Sequence, residues 1–179
     1  VMHAIILGIG SDIGREIATR LRAGGWRVTG CQHDGRLRPD SSWDLVVCCY
    51  GTLEPIGSFW ELGDEQWERA FYANLFLPLR QVRALYPHRL RGASVCLFSG
   101  AGTSGPAPTY SAYCAAKVAL VKMTELLDDE SLCKFFVLGP GTVRTKIHEQ
   151  TLRAGARAAN FDRVSAFVHS DAAGTSHDD

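Results

Sequence analysis

In the stretch YSAYCAAK, a tyrosine at 113 and a lysine at 117 stand four residues apart among small side chains. On a helix, side chains at i and i+4 share one face and reach each other or a common ligand. A cation beside a phenol favours the phenolate, so the spacing predicts that Tyr113 titrates below the usual tyrosine value of about 10. Such a phenol can donate or accept a proton near neutral pH. The same spacing arises where a tyrosine packs on a helix with a solvated lysine beside it, so the rest of the chain has to decide.

A second constellation is LGIGSDIG, with Gly8, Gly10 and Gly14 at the end of an apolar run. Glycines so placed permit a tight turn, close approach of the backbone to a pyrophosphate, and close packing of the following helix, whose N–H groups face the phosphates. Ser11, Asp12 and Ile13 line the same turn. The spacing is G-x-G-x-x-x-G, one residue longer than the usual dinucleotide fingerprint, and alone it also suits a plain strand-to-helix turn.

The elements that must position these groups alternate. HAIILGIG reads as a strand and DIGREIATRLRAGG as a helix, with Ile13, Ile17, Ala18 and Leu21 at helical spacing. WRVTGC and WDLVVCCYG read as strands, and DEQWERAFYANLFLPLRQVRALYPHRL as a helix that Pro78 bends or splits. ASVCLFSG is a fourth strand, YSAYCAAKVALVKMTELLDDE a helix, KFFVLGPG a fifth strand, and HEQTLRAGARAA a short helix. Several strands are continuously apolar, which indicates a parallel sheet covered on both faces: a doubly wound, Rossmann-type α/β fold of about five recognisable strands. Ligands in such sheets bind at the carboxyl ends of the strands. Gly51, Ser99, Pro140 and Gly141 fall there.

Composition excludes other classes. Nineteen basic and nineteen acidic residues cancel, so no global field favours nucleic acid or an anionic membrane. No apolar run approaches the ~20 residues of a membrane span, and the first residues lack the pattern of a signal peptide. A cytoplasmic protein is expected. The six cysteines form no C-x-x-C pair and read as reduced, mostly buried thiols, and the six scattered histidines suggest no metal site.

With the glycine turn, CCYG, Asn74 inside a helix, Ser99 after a strand, Y-x-x-x-K and GPGTVRT in that order, the chain resembles the short-chain dehydrogenase/reductase family over roughly residues 3 to 150. The resemblance implies an NAD(P)-dependent oxidoreductase that passes hydride between nicotinamide and a carbonyl or secondary alcohol. Tyr113 would be the acid or base, Lys117 would bind the nicotinamide ribose and lower the Tyr113 pKa, and Asn74 would hold a water behind them. Gly8, Gly10, Ser11, Asp12, Ile13, Gly14, Gln32, Gly51, Lys117, Pro140, Gly141 and Thr145 would line the cofactor. The family's substrate-orienting serine stands thirteen residues before the tyrosine, where this chain has Gly100; Ser99 lies fourteen before, and Thr103 or Ser104 are alternatives.

Other positions depart from the family pattern. Leu7 replaces its threonine, Asp12 its middle glycine, and Cys49-Tyr50-Gly51 its N-A-G. Between the second and third strands only a loop remains where the family fits a helix, a strand and another helix, and the end of the chain holds a rudiment of its last helix and strand. This implies a shortened or truncated member, with a cofactor-binding unit over 1–150 and an incomplete substrate-side segment over 151–179. Gln32 offers no carboxylate to a ribose, and His33, Arg36 and Arg38 follow, so NADP is favoured over NAD. A homodimer or homotetramer is expected through helices 64–88 and 111–128. The alternative is a non-catalytic NAD(P)-binding sensor or scaffold on the same fold.

Overall fold

The computed structural model describes residues 1–32, 42–100 and 102–170. Its centre is β1 (His3–Leu7), every residue of which is buried, as the apolar run HAIIL requires of a strand covered on both faces. β2 (Arg27–Cys31), β3 (Trp43–Cys48), β4 (Arg89–Phe98) and β5 (Lys134–Leu138) complete a parallel sheet in the order β2-β1-β3-β4-β5. The winding reverses between β1 and β3, so the loops after these two strands diverge and leave a crevice at their carboxyl ends. The terminal strands of the sheet, β2 and β5, are the more exposed ones.

Helices cover both faces. α1 (Asp12–Ala23) packs Ile13, Ile17, Ala18 and Leu21 against Ile6, Val47, Cys96 and Phe98. On the other face Val82 and Leu85 of α3 (Leu77–Leu85), with Ala116 and Leu120 of α4 (Ser111–Glu130), cover Leu7, Val46, Cys48, Val95 and Leu97. Trp43 anchors this second core: it is fully buried and its Nε1 donates to the Leu85 carbonyl at 2.8 Å.

The long helix expected over residues 64–88 is interrupted. α2 (Asp64–Phe71) passes into a π-turn at Tyr72–Phe76, where Leu77 N–H bonds the Tyr72 carbonyl five residues back, before α3 resumes. Pro78, without an N–H, cannot continue the ordinary ladder there. The helix ends at Leu85, and β4 starts at Arg89, earlier than the expected Ala93. Gly92, at φ +80°, and a register shift between Trp43 and Leu45 let Arg89 pair with Trp43.

After β5 come α5 (Ile147–Ala154), which runs across the boundary expected at 150, and α6 (Phe161–His169), which the sequence reading left out. Both are held to the loops around Ile56 and Tyr110 by a small cluster of Ile56, Tyr110, Ala154 and Ala158, with Phe161 packed against it. Cys31, Cys48, Cys96 and Cys133 are buried, and every cysteine is a free thiol. Among the described residues no helix is long and apolar enough to cross a membrane, and no cluster of His, Cys, Asp and Glu could hold a metal ion.

Replacing Trp43 by Ala should cost about 3–5 kcal/mol, because it opens a cavity and orphans the Leu85 carbonyl. Trp60, 89% exposed, should tolerate Ala within about 0.5 kcal/mol. Urea denaturation of the two variants checks the contrast.

Candidate functional site

The glycine turn is built by contacts only glycine permits. Gly8 has φ +82°, and a Cβ on Gly14 would stand 2.4 Å from the Gly8 carbonyl oxygen, so any larger residue would push α1 off the turn. Ser11 caps α1: its hydroxyl accepts from Gly14 N at 3.0 Å and donates to the Gly8 carbonyl at 2.8 Å. Gly10 lies beneath the Gln32 amide, whose Oε1 would be 2.3 Å from a Cβ there. Asp12 opens α1; one carboxylate oxygen accepts from Lys146 N at 2.7 Å, and the other pairs with Arg15. Ile13 points away from the turn into the core under α1.

Across the crevice, Cys49, Tyr50 and Gly51 follow β3. The Tyr50 ring supports the turn from below, with Cδ1 3.1 Å from a Cβ placed on Gly8. Its hydroxyl donates to Gln81 Oε1 at 2.8 Å, and the Gln32 carbonyl lies 3.1 Å away. Burial raises the Tyr50 phenol far above its ordinary value. Asn74, fully buried in the π-turn, clamps the next residue: Thr52 N donates to its Oδ1, and its Nδ2 donates to the carbonyls of Thr52 and Ala70, each bond being 2.9–3.0 Å. Both amide hydrogens are used, and Oδ1 keeps one lone pair free for a further donor.

Lys117 is 3% exposed and lies one helical turn after Tyr113. Its Nζ donates to the Phe98 carbonyl at 3.1 Å and to the Tyr50 carbonyl at 3.3 Å. A Cβ on Gly51 would lie 3.9 Å from this ammonium and 3.7 Å from Asn74 Oδ1, so Gly51, Asn74 and Lys117 meet at one point. Burial lowers the Lys117 pKa, with Cys48 and Cys49 opposing.

The expectation that Lys117 depresses Tyr113 needs correction. Burial, with a smaller effect from Cys114, pushes the Tyr113 phenol up to about 12. The ammonium is directed to two carbonyls and lies 5.9 Å from the centre of the Tyr113 ring, so desolvation prevails. Tyr113 Oη makes no hydrogen bond among the described residues.

The structure also distinguishes Ser99 from Gly100. Ser99 continues the pairing of β4 with β5: its N–H and its hydroxyl both donate to the Leu138 carbonyl, at 3.0 and 3.4 Å. With Val118, Val121, Lys122 and Val137 it lines a groove of about 480 Å³. Gly100 faces the phenol instead, since a Cβ there would stand 2.0 Å from Tyr113 Oη. Thr103 donates to the Gly100 carbonyl at 3.0 Å, and Ser104 is exposed. Pro140, Gly141 and Thr145 lie on the loop after β5, where the Thr145 carbonyl accepts from His148 N at 3.1 Å. His33, Arg36 and Arg38 lie outside the described residues.

Sequence reasoning missed Gln150 and Tyr110. Gln150 Oε1 accepts from Leu53 N at 2.6 Å, while Tyr110 Oη bonds Thr151 Oγ1 at 2.9 Å and Asn160 Oδ1 at 2.5 Å. These bonds fasten α5 and its flank over the loop that follows Gly51. Their sequence separation, up to 97 residues, left no local signal.

The cradle between Gly8 and Gly14 at the N-terminal end of α1 and the buried ammonium beside Gly51 fit a dinucleotide laid across the crevice. The family model for short chain dehydrogenase matches residues 41–155. An uncharacterized NAD-dependent oxidoreductase of Mycobacterium tuberculosis H37Rv is 31% identical over 144 residues, covering 79% of this chain and 50% of the relative. The chain thus spans about half the length of the curated relatives it matches. Among solved structures, the KRED1-Pglu enzyme superimposes with a TM-score of 0.84 at 21% identity, over 93% of this chain and 86% of that one. A small-chain dehydrogenase in complex with NADPH gives 0.79 at 18% identity, over 95% and 81%.

Two substitutions test the placement of the phenol. Gly100→Ala should force Tyr113 Oη outward and lower its pKa from about 12 toward the ordinary 10, whereas Ser99→Ala should leave it in place. Phenolate absorbance, with Tyr113→Phe as the blank, reports this. The folded state holds the Tyr113 proton more tightly than the unfolded chain does. Its contribution is therefore full below pH 10 and lost as pH rises toward 12, so wild type should lose more stability over that window than Tyr113→Phe.

Proposed function

The chain belongs to the short-chain dehydrogenase family, and from that premise we propose that it is a nicotinamide-dependent oxidoreductase acting on a carbonyl or secondary alcohol. The observation that carries the reading is the pair Tyr113 and Lys117: a phenol whose hydroxyl has no hydrogen-bond partner among the described residues, one turn before a buried ammonium that adjoins Gly51. The cofactor supplies the hydride. The glycine turn and the N-terminus of α1 would hold its diphosphate, and Lys117 and Gly51 the nicotinamide ribose. Asn74 keeps the Gly51–Thr52 backbone in place, with one lone pair of Oδ1 for a water. Tyr113 delivers the proton to the carbonyl oxygen.

The raised Tyr113 pKa bears on direction. A phenol held up to about 12 stays protonated at neutral pH, the form that a proton donor in carbonyl reduction needs. Alcohol oxidation needs the phenolate. Reduction should therefore be level through neutral pH and decline only in alkali, while oxidation should climb with pH; the same rising profile in both directions would refute this account. Tyr113→Phe should abolish turnover, by a factor of at least about 10², and leave NAD(P)H binding, read by fluorescence, nearly intact.

A non-catalytic NAD(P)-binding role is the second reading, and Gly100 favours it, because the position facing the phenol carries no hydroxyl to orient a substrate. Tight NAD(P)H binding without turnover of any carbonyl would select it. Gln32 offers no carboxylate to a ribose, which leaves the choice of NADP over NAD to Arg36 and Arg38 beyond it in the sequence, and NADP is our proposal.

The exposed Tyr72 and Phe76, beside α2 and α3, and Val118 and Leu126 of α4 are apolar beyond what one buried stripe requires. They support a homodimer or homotetramer through these helices. Light scattering should find the dimer mass or its double at micromolar concentration, and Phe76→Glu should reduce it to the monomer.

A further inference from the structure

Gln150 of α5 reaches a segment 97 residues earlier in the chain. Its Oε1 accepts from Leu53 N at 2.6 Å and from the Thr52 hydroxyl at 3.3 Å. Asn74 holds the N–H and the carbonyl of the same Thr52, so the backbone after Gly51 is gripped between α5 and the π-turn. The next residue, Thr151, is buried and bonds Tyr110, which stands at the start of α4 one turn before Tyr113. Two neighbouring side chains thus tie α5 to the segment beside Lys117 and to the segment that leads to Tyr113.

Ile147 lies one turn before Gln150 on the same face of α5. Its Cδ1 would be 3.9 Å from a Cβ on Gly51, the point that Lys117 Nζ and Asn74 Oδ1 also approach, at 3.9 and 3.7 Å. An ammonium and an amide there meet an apolar side chain. A helix of eight residues does not hold its own conformation in water, so the seat of Ile147 depends on what α5 is tied to.

We propose that Ile147 is a specificity-determining wall of the carbonyl site and that Gln150 is its positioning residue, seating it against Gly51 through the bonds to Thr52 and Leu53. The proposal rests on the oxidoreductase reading above for the reaction. A carbonyl that takes hydride lies against the nicotinamide, whose ribose that reading assigns to Lys117 and Gly51, so Ile147 borders the groups the carbonyl carries. Both donors reach one oxygen of Gln150, and its Nε2 makes no hydrogen bond among the described residues. The bonds therefore require an acceptor and not an amide.

The test measures amide exchange at Leu53 in the unliganded chain, and kcat/KM for acetophenone against butanone with NADPH. Gln150→Ala should speed Leu53 exchange by up to about tenfold, while Gln150→Glu, which keeps the acceptor, should match wild type. Equal exchange in wild type and Gln150→Ala, or fast exchange in Gln150→Glu as well, would overturn the hold. Ile147→Ala should raise the preference for the larger ketone about tenfold, Gln150→Ala should move it the same way, and Gln150→Glu should not. An unchanged preference in Ile147→Ala would overturn the wall. In the Ile147→Ala background, Gln150→Ala should add nothing, since its effect runs through a side chain already removed; a full additional rise would overturn positioning through Ile147. No turnover of any carbonyl by wild type would overturn the oxidoreductase reading and the wall with it, and Leu53 exchange, read without cofactor, would still decide the hold.

Discussion

The burial of one ammonium organises the crevice. Lys117 lies in the interior with its Nζ held by the carbonyls of Phe98 and Tyr50, the first at the end of β4 and the second just after β3. A charge so buried is tolerable only when its donors are used. That need draws α4 toward the carboxyl ends of β3 and β4 and sets where Gly51 passes. Asn74 performs the matching task with neutral groups, binding both backbone atoms of Thr52 from the π-turn. The π-turn in turn exists because Pro78 cannot donate to the preceding helix. Asn74, one turn before Pro78, and the distant Lys117 thus converge on the backbone from Tyr50 to Thr52.

Tyr113 takes its character from what its neighbours lack. With no side chain at Gly100, the phenol settles against the backbone after β4, where a Cβ would overlap it. The same closeness removes water, and the proton is held more tightly than on a free tyrosine. The lysine one turn away does not reverse this, since its ammonium is directed to the carbonyls of Phe98 and Tyr50. Shape and electrostatics therefore share a cause: the loss of a small side chain deepens the burial that raises the pKa.

On the other side of the crevice, Tyr50 replaces a small residue of the family pattern and supplies bulk under the glycine turn. Its hydroxyl joins the end of β2 to Gln81 of α3. Beyond the main core, long-range polar contacts, Gln150 to Leu53 and Tyr110 to Thr151 and Asn160, hold α5 and the approach to α6. The terminal strands of the sheet, β2 and β5, are comparatively exposed.

The sequence by itself determined the alternation of strands and helices, the parallel sheet, the glycine turn and the Tyr113–Lys117 pair, because each rests on spacing within one element or across one turn. Pro78 announced a break in its helix for the same local reason. Only the tertiary structure decided which of Ser99 and Gly100 meets the phenol. That depends on how far β4 stays paired with β5, and a one-residue difference in where pairing ends turns a side chain to the opposite face. The direction of the Tyr113 shift was equally hidden: spacing shows a nearby cation, but not that two carbonyls claim its donors while burial acts on the phenol. The bond from Asp12 to Lys146 joins opposite ends of the chain, and no local pattern records a contact that exists only once β1 and β5 lie in one sheet.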